Sequence, residues 1–88
     1  MKINYHIEII GNVNHLGNKL KIMMLANQYN IAGSVSEKEH QLEIEAEGNE
    51  KDLKDFIETC REKFSGEGIT NMTVKEQNPA CYDDFSIL

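Results

Sequence analysis

The feature that most restricts this chain is a hydrophobic period that switches from two to about 3.6, and does so twice in the same order. Over residues 2–10, Ile3, Tyr5, Ile7 and Ile9 fall on one face and Lys2, Asn4, His6 and Glu8 on the other, the period of a half-buried strand. Over residues 18–29 the apolar positions Ile22, Leu25, Ala26 and Tyr29 are spaced i, i+3, i+4, i+7, one face of a helix. Asn18 is the predicted N-cap of that helix, and Asn30, a residue that tolerates left-handed backbone, its terminator.

The sequence then repeats the switch. Residues 41–47 alternate strictly, with Leu42, Ile44 and Ala46 against Glu43, Glu45 and Glu47. They are predicted to form a hairpin with a short strand over residues 31–35, across a polar turn at residues 36–40. Leu53, Phe56, Ile57, Cys60 and Phe64 form a helical stripe over residues 50–64, with Asn49 as N-cap and Glu50 and Asp52 in the first turn, where the helix dipole favours acids. Residues 69–77 read as a strand with Met72 and Val74 on one face. Asn78-Pro79-Ala80 interrupts it, and residues 84–88 are strand-like, with Phe85 and Ile87 inward. The order β-α-β-β-α-β plus a terminal strand, within 88 residues, predicts one α+β domain over residues 1–88. Its expected architecture is a ferredoxin-like sandwich, an antiparallel sheet covered by two helices.

Charge narrows the function classes. Fifteen acidic and nine basic residues give a net charge of −6, which opposes nucleic-acid binding and adhesion to anionic membranes, both of which need clustered Lys and Arg. The row Glu43, Glu45, Glu47 is expected to make an open sheet face acidic and so to repel RNA. Two cysteines without CxxC spacing are too few for a disulfide scaffold, the first residues lack the apolar core of a secretory signal, and a cytoplasmic location is expected. Cys60 lies on the helical stripe and reads as a core thiol, Cys81 as a loop residue. His6, His15 and His40 show no HxH or HxxxH spacing, so neither a metal site nor a cofactor is expected.

The loop after the first strand carries a family resemblance. The stretch Gly11-Asn12-Val13-Asn14-His15-Leu16-Gly17-Asn18-Lys19 resembles the acylphosphatase signature G-x-V-Q-G-V-G-F-R. Residues 30–37, Asn30-Ile31-Ala32-Gly33-Ser34-Val35-Ser36-Glu37, resemble the family's G-L-x-G-W-V-x-N run. Gly48 and the closing Phe85-Ser86-Ile87 are similar to further family positions, and the spacing from Gly11 to Glu37 holds without insertion. The resemblance implies a ferredoxin-like fold and hydrolysis of small acyl phosphates to carboxylate and phosphate, without metal or covalent intermediate. It implies that the backbone N–H groups of Gly11, Asn12, Val13, Asn14, His15 and Leu16 cradle the phosphate, a physically coherent anion site at a helix N-terminus.

Two positions depart from the pattern. Lys19 stands where the family has the arginine that clamps phosphate, and it keeps a charge but loses the bidentate fork. Glu37 stands where the family has the asparagine that orients the attacking water. Asn18 replaces a Phe, Asn14 a Gln and His15 a Gly; His15 reads either as a contact to the anion or as an exposed loop histidine. The departures imply weak or lost turnover, and an ion pair between Lys19 and Glu37 is expected to close the site. A rescue reading makes Glu37 a general base for the water. The alternative function is a catalytically inactive acylphosphatase-like domain that binds a protein or small ligand; no protein partner can be named from the sequence.

Overall fold

The computed structural model describes residues 2–11, 16–39, 41–64 and 69–88. Its elements follow the predicted order: β1 (Ile3–Gly11), α1 (Leu16–Gln28), β2 (Ala32–Lys38), β3 (Gln41–Gly48), α2 (Glu50–Phe64), β4 (Ile69–Gln77) and β5 (Phe85–Ile87). The strands form one sheet in the order β4-β1-β3-β2-β5. β1 lies antiparallel to both β3 and β4, and β2 antiparallel to β3. β5 departs from the all-antiparallel expectation and pairs with β2 in parallel, because the chain leaves β4 at one edge and reaches the opposite edge by a crossover rather than a tight turn.

Both helices pack on one face of this sheet. Ile7 and Ile9 of β1, Val35 of β2, and Leu42, Ile44 and Ala46 of β3 meet Ile22, Leu25 and Ala26 of α1 and Leu53, Phe56, Cys60 and Phe64 of α2, all buried. Tyr29 stays half-buried and its hydroxyl meets Thr59 Oγ1 at 2.8 Å, tying the two helices.

The helix ends follow local chemistry. Asn49 caps α2, its Oδ1 accepting the Asp52 N–H at 2.8 Å. Asn30 sits at φ 59°, with Ile31 N–H donating to the Ala26 carbonyl at 2.8 Å and Asn30 N–H to that of Asn27 at 3.4 Å, a Schellman termination of α1. The start of α1 differs from the expectation: it begins at Leu16, two residues before Asn18, and Asn18 is a buried residue of the first turn with 2% exposure. The second strand also runs further than predicted. Ser36, Glu37 and Lys38 pair with Glu43, Leu42 and Gln41, because backbone ladders accept polar side chains as readily as apolar ones.

The sheet face away from the helices corrects a second expectation. Glu47 was expected to be solvated beside Glu43 and Glu45; it is 1% exposed, and Asn4 across the β1–β3 pair is 0% exposed. Residues 78–84 cross over this end of the face. The Glu47 carboxylate accepts hydrogen bonds from Asn4 Nδ2 at 3.1 Å, Ala80 N–H at 2.6 Å and Tyr82 N–H at 2.9 Å. Cys81, between the last two, has φ 59°, and this left-handed residue curls successive N–H groups towards one anion, a backbone nest. Burial raises the Glu47 carboxyl, but the hydrogen bonds from Asn4 and from the backbone of Ala80, Tyr82 and Cys81 outweigh it and hold it below the usual carboxylate value.

Candidate functional site

β1 and β2 run parallel to one another on either side of β3, so their C-terminal ends lie at the same end of the sheet. Ile9 of β1 and Glu37 of β2 both stand opposite Leu42 of β3, which places them in one row about 10 Å apart. Opposed side chains share a face, so Glu37 belongs to the helix-covered face, past the buried Val35, and is itself exposed. β1 ends on Gly11 at φ 149°, just after a register shift between Ile10 and Gly11. That backbone conformation suits glycine, and the register shift ends the regular β1–β4 pairing there.

Four of the residues assigned to the phosphate cradle, Asn12, Val13, Asn14 and His15, lie outside the described residues, as does the side chain of Leu16. The cradle's two ends are Gly11, at the tip of β1, and the first residue of α1. No acidic residue occupies the first turn of α1, so its N-terminal dipole is not neutralised from within the helix. Lys19 is half-buried in that turn. Among the described residues no ion pair joins Lys19 to Glu37. The expected bridge across the site is therefore not formed. The neighbouring Lys21 points elsewhere, its Nζ 5.2 Å from the ring centroid of Phe64.

β2 owes its position to Gly33. This residue has φ 139°, and a Cβ built on it would lie 1.7 Å from the carbonyl oxygen of Glu45. Only glycine lets β2 approach β3 this closely while Gly33 N–H reaches the Asp84 carbonyl at 2.8 Å. Four residues on, the same strand presents Glu37.

Away from this end, a groove of about 550 Å³ lies between α2 and strands β1 and β4, lined by Tyr5, Ile57, Val74, Lys54, Glu58 and Arg61 among others. It contains none of the candidate phosphate-site residues Gly11–Leu16, Lys19 and Glu37. On the opposite sheet face, His6, Glu8 and Glu43 bring potential ligand atoms within 4.8 Å of one another. The histidine spacings could not show this cluster, because its members come from two strands and only one is a histidine. His15 and His40 lie outside the described residues, Cys60 is buried and Cys81 exposed, both as free thiols. No helix of the described residues is long and apolar enough to cross a membrane.

Comparison with known proteins agrees with the geometry. The acylphosphatase family model matches residues 5–87. An acylphosphatase of Staphylococcus haemolyticus is 34% identical over 82 residues, covering 92% of this chain and 90% of that protein. One of Bacillus velezensis is 32% identical over 87 residues, covering 97% of each. Among solved structures, the acylphosphatase from Bacillus subtilis superposes with a TM-score of 0.86 at 28% identity, covering 98% of both chains. Full-length HypF in its phosphate- and nucleotide-bound form matches with a TM-score of 0.82 at 29% identity, over all of this chain but 12% of its own. With the family model spanning nearly the whole sequence and two relatives above 30% identity over most of their length, this chain belongs to the acylphosphatase family.

Proposed function

We propose that this chain handles small acyl phosphates at the end of the sheet where β1 and β2 finish, hydrolysing them to carboxylate and phosphate with low turnover. In this reading the backbone N–H groups of Gly11–Leu16 hold the phosphoryl oxygens and Lys19 supplies a point charge. A water adds to phosphorus as the acyl oxygen leaves, taking the bonding electrons as a carboxylate. The leaving group is stable as an anion, so the protein's task is to hold the phosphate and aim the water.

The observation that carries the reading is the exposed Glu37 in the row of Ile9, beside the tip of β1. A carboxylate about 5 Å from a phosphate charge opposes it by roughly 3 kcal/mol at an effective dielectric near 20, less where water screens it. Lys19 offsets this without the two-pronged geometry of a guanidinium. Both departures act in the same direction, weakening phosphate capture and leaving the water poorly aimed. Two free thiols fit a reducing, cytoplasmic setting.

Benzoyl phosphate hydrolysis by the natural chain and by the Lys19→Arg/Glu37→Asn double variant tests the proposal. The natural chain is expected to exceed buffer, and the double variant to raise kcat/KM by roughly 10–100-fold. Equal rates would show that these two residues do not limit turnover. The second reading, a binding domain without activity, is favoured by the same exposed carboxylate. It prevails where the natural chain shows no turnover while phosphate still shifts the backbone amides of residues 11–19.

A further inference from the structure

We propose that His6, Glu8 and Glu43 bind a divalent transition metal of the zinc class on the sheet face opposite the helices, with Glu45 orienting the imidazole. The antiparallel register sets His6 opposite Glu45 and Glu8 opposite Glu43. Residues two apart on a strand share a face, so one imidazole and three carboxylates form a square patch on adjacent strands.

The distances suit one ion. Two ligand atoms on a tetrahedral zinc at about 2.0–2.1 Å lie roughly 3.4 Å from each other, and His6 Nε2 is 3.6 Å from Glu43 Oε1. A Glu8 carboxylate oxygen lies within 4.8 Å of a ring nitrogen of His6 and of a carboxylate oxygen of Glu43. His6 Nδ1 meets Glu45 Oε2 at 2.5 Å. A carboxylate on Nδ1 orients the ring and leaves Nε2 facing Glu43, the carboxylate–histidine–metal arrangement. Glu8 is steadied from both sides, accepting from Gln41 Nε2 at 3.0 Å and Thr73 Oγ1 at 3.4 Å. Each carboxylate oxygen retains a lone pair for a metal.

Electrostatics points the same way. Like charges directly opposed across two strands destabilise the pair, and Glu8 and Glu43 are so opposed; a dication turns that repulsion into attraction. The imidazole selects a borderline metal over calcium or magnesium, which prefer all-oxygen sites. The patch is half-buried, lies on the other side of the sheet from Glu37, and its His6 is about 16 Å along β1 from Gly11. The site is therefore independent of the acyl phosphate reading.

Calorimetric titration of the intact chain with Zn²⁺, paired with long-range ¹H–¹⁵N spectra of the imidazoles, tests it. Saturable 1:1 binding is expected, with the His6 Nε2 resonance moving on metal addition. His6→Gln and Glu43→Gln should each weaken binding at least tenfold, and Glu45→Gln by ~10–100-fold. Glu43→Gln removes one of two opposed charges, so it keeps the fold, which circular dichroism of the metal-free variant checks. A His15→Gln/His40→Gln/Cys81→Ser triple variant should bind as the natural chain does. Absence of saturable binding, binding unaffected by His6→Gln and Glu43→Gln, or binding abolished in the triple variant would overturn the proposal. The first would leave His6 as a plain hydrogen-bond partner of Glu45.

Discussion

The carboxylate of Glu47 accepts the backbone N–H of Ala80 at 2.6 Å, joining residues 33 apart in sequence. With Tyr82 N–H and Asn4 Nδ2 on the same carboxylate, this contact fixes the crossover that carries the chain from β4 to β5. Glu47→Ala leaves the buried Asn4 amide and two part-buried backbone N–H groups without an acceptor and is expected to lower stability by about 3 kcal/mol at pH 7, measured by urea unfolding. The folded-state pKa is held below the ordinary value of 4.5. The contribution is therefore fully present above about pH 4.5. It is lost as pH falls through the folded value, so natural chain and Glu47→Gln should converge in stability on acidification.

Glu37→Asn removes the negative charge from the end of the sheet where β1 and β2 finish. Because Glu37 is exposed, water screens most of its repulsion. Phosphate affinity is expected to rise about two- to fivefold, read from amide shifts in a phosphate titration. The gain should shrink as salt is added.

Gly33→Ala tests the close approach of β2 to β3. A methyl group there collides with the Glu45 carbonyl at a φ that L residues rarely adopt. The variant is expected to lose about 3 kcal/mol or more, seen as a lower urea midpoint. A stability within 0.5 kcal/mol of the natural chain would contradict the geometry.

The two thiols should differ in reactivity. Burial pushes the Cys60 thiol up to about 12, so it stays protonated and shielded at pH 8. Cys81 is exposed. Iodoacetamide followed by mass spectrometry should give one adduct, on Cys81, with the second appearing only in denaturant.

Much of this was legible in the sequence, because periodicity reports which face of a strand or helix is buried. Ile7, Ile9, Leu42, Ile44, Leu53, Phe56 and Cys60 were all placed in the core from spacing alone, and the structure buries each. Glu47 was misread for an instructive reason. Alternation states that Glu47 faces away from the helices, but not that residues 78–84 later cross above it, and Asn78-Pro79-Ala80 announces only a break. Asn18 was misread because a short polar residue signals a cap wherever it stands, and the residues just before it include another, Asn14. The metal-ligand cluster was invisible because His6 and Glu43 are 37 positions apart, and only strand register makes them neighbours. At the proposed acyl phosphate site, the candidate residues Gly11–Leu16, Lys19 and Glu37 come from the family resemblance, and four of them, residues 12–15, lie outside the described residues. The missing bridge between Lys19 and Glu37 could not be read from the sequence, since opposite charge does not determine reach.

The crossover at residues 78–84 has a kinetic consequence. Its contacts join the chain's last strand to its second and seat backbone donors on the end of β3, so they are non-local, the Glu47–Tyr82 bond alone spanning 35 residues. Such contacts need β2 and β3 to be paired first, so they are expected to form after that hairpin. An interaction formed after the rate-limiting barrier leaves the folding rate nearly unchanged and slows escape from the native state. Glu47 thus sets how long a folded molecule stays folded more than how quickly one forms, and its strap governs the protein's persistence against proteolysis and heat.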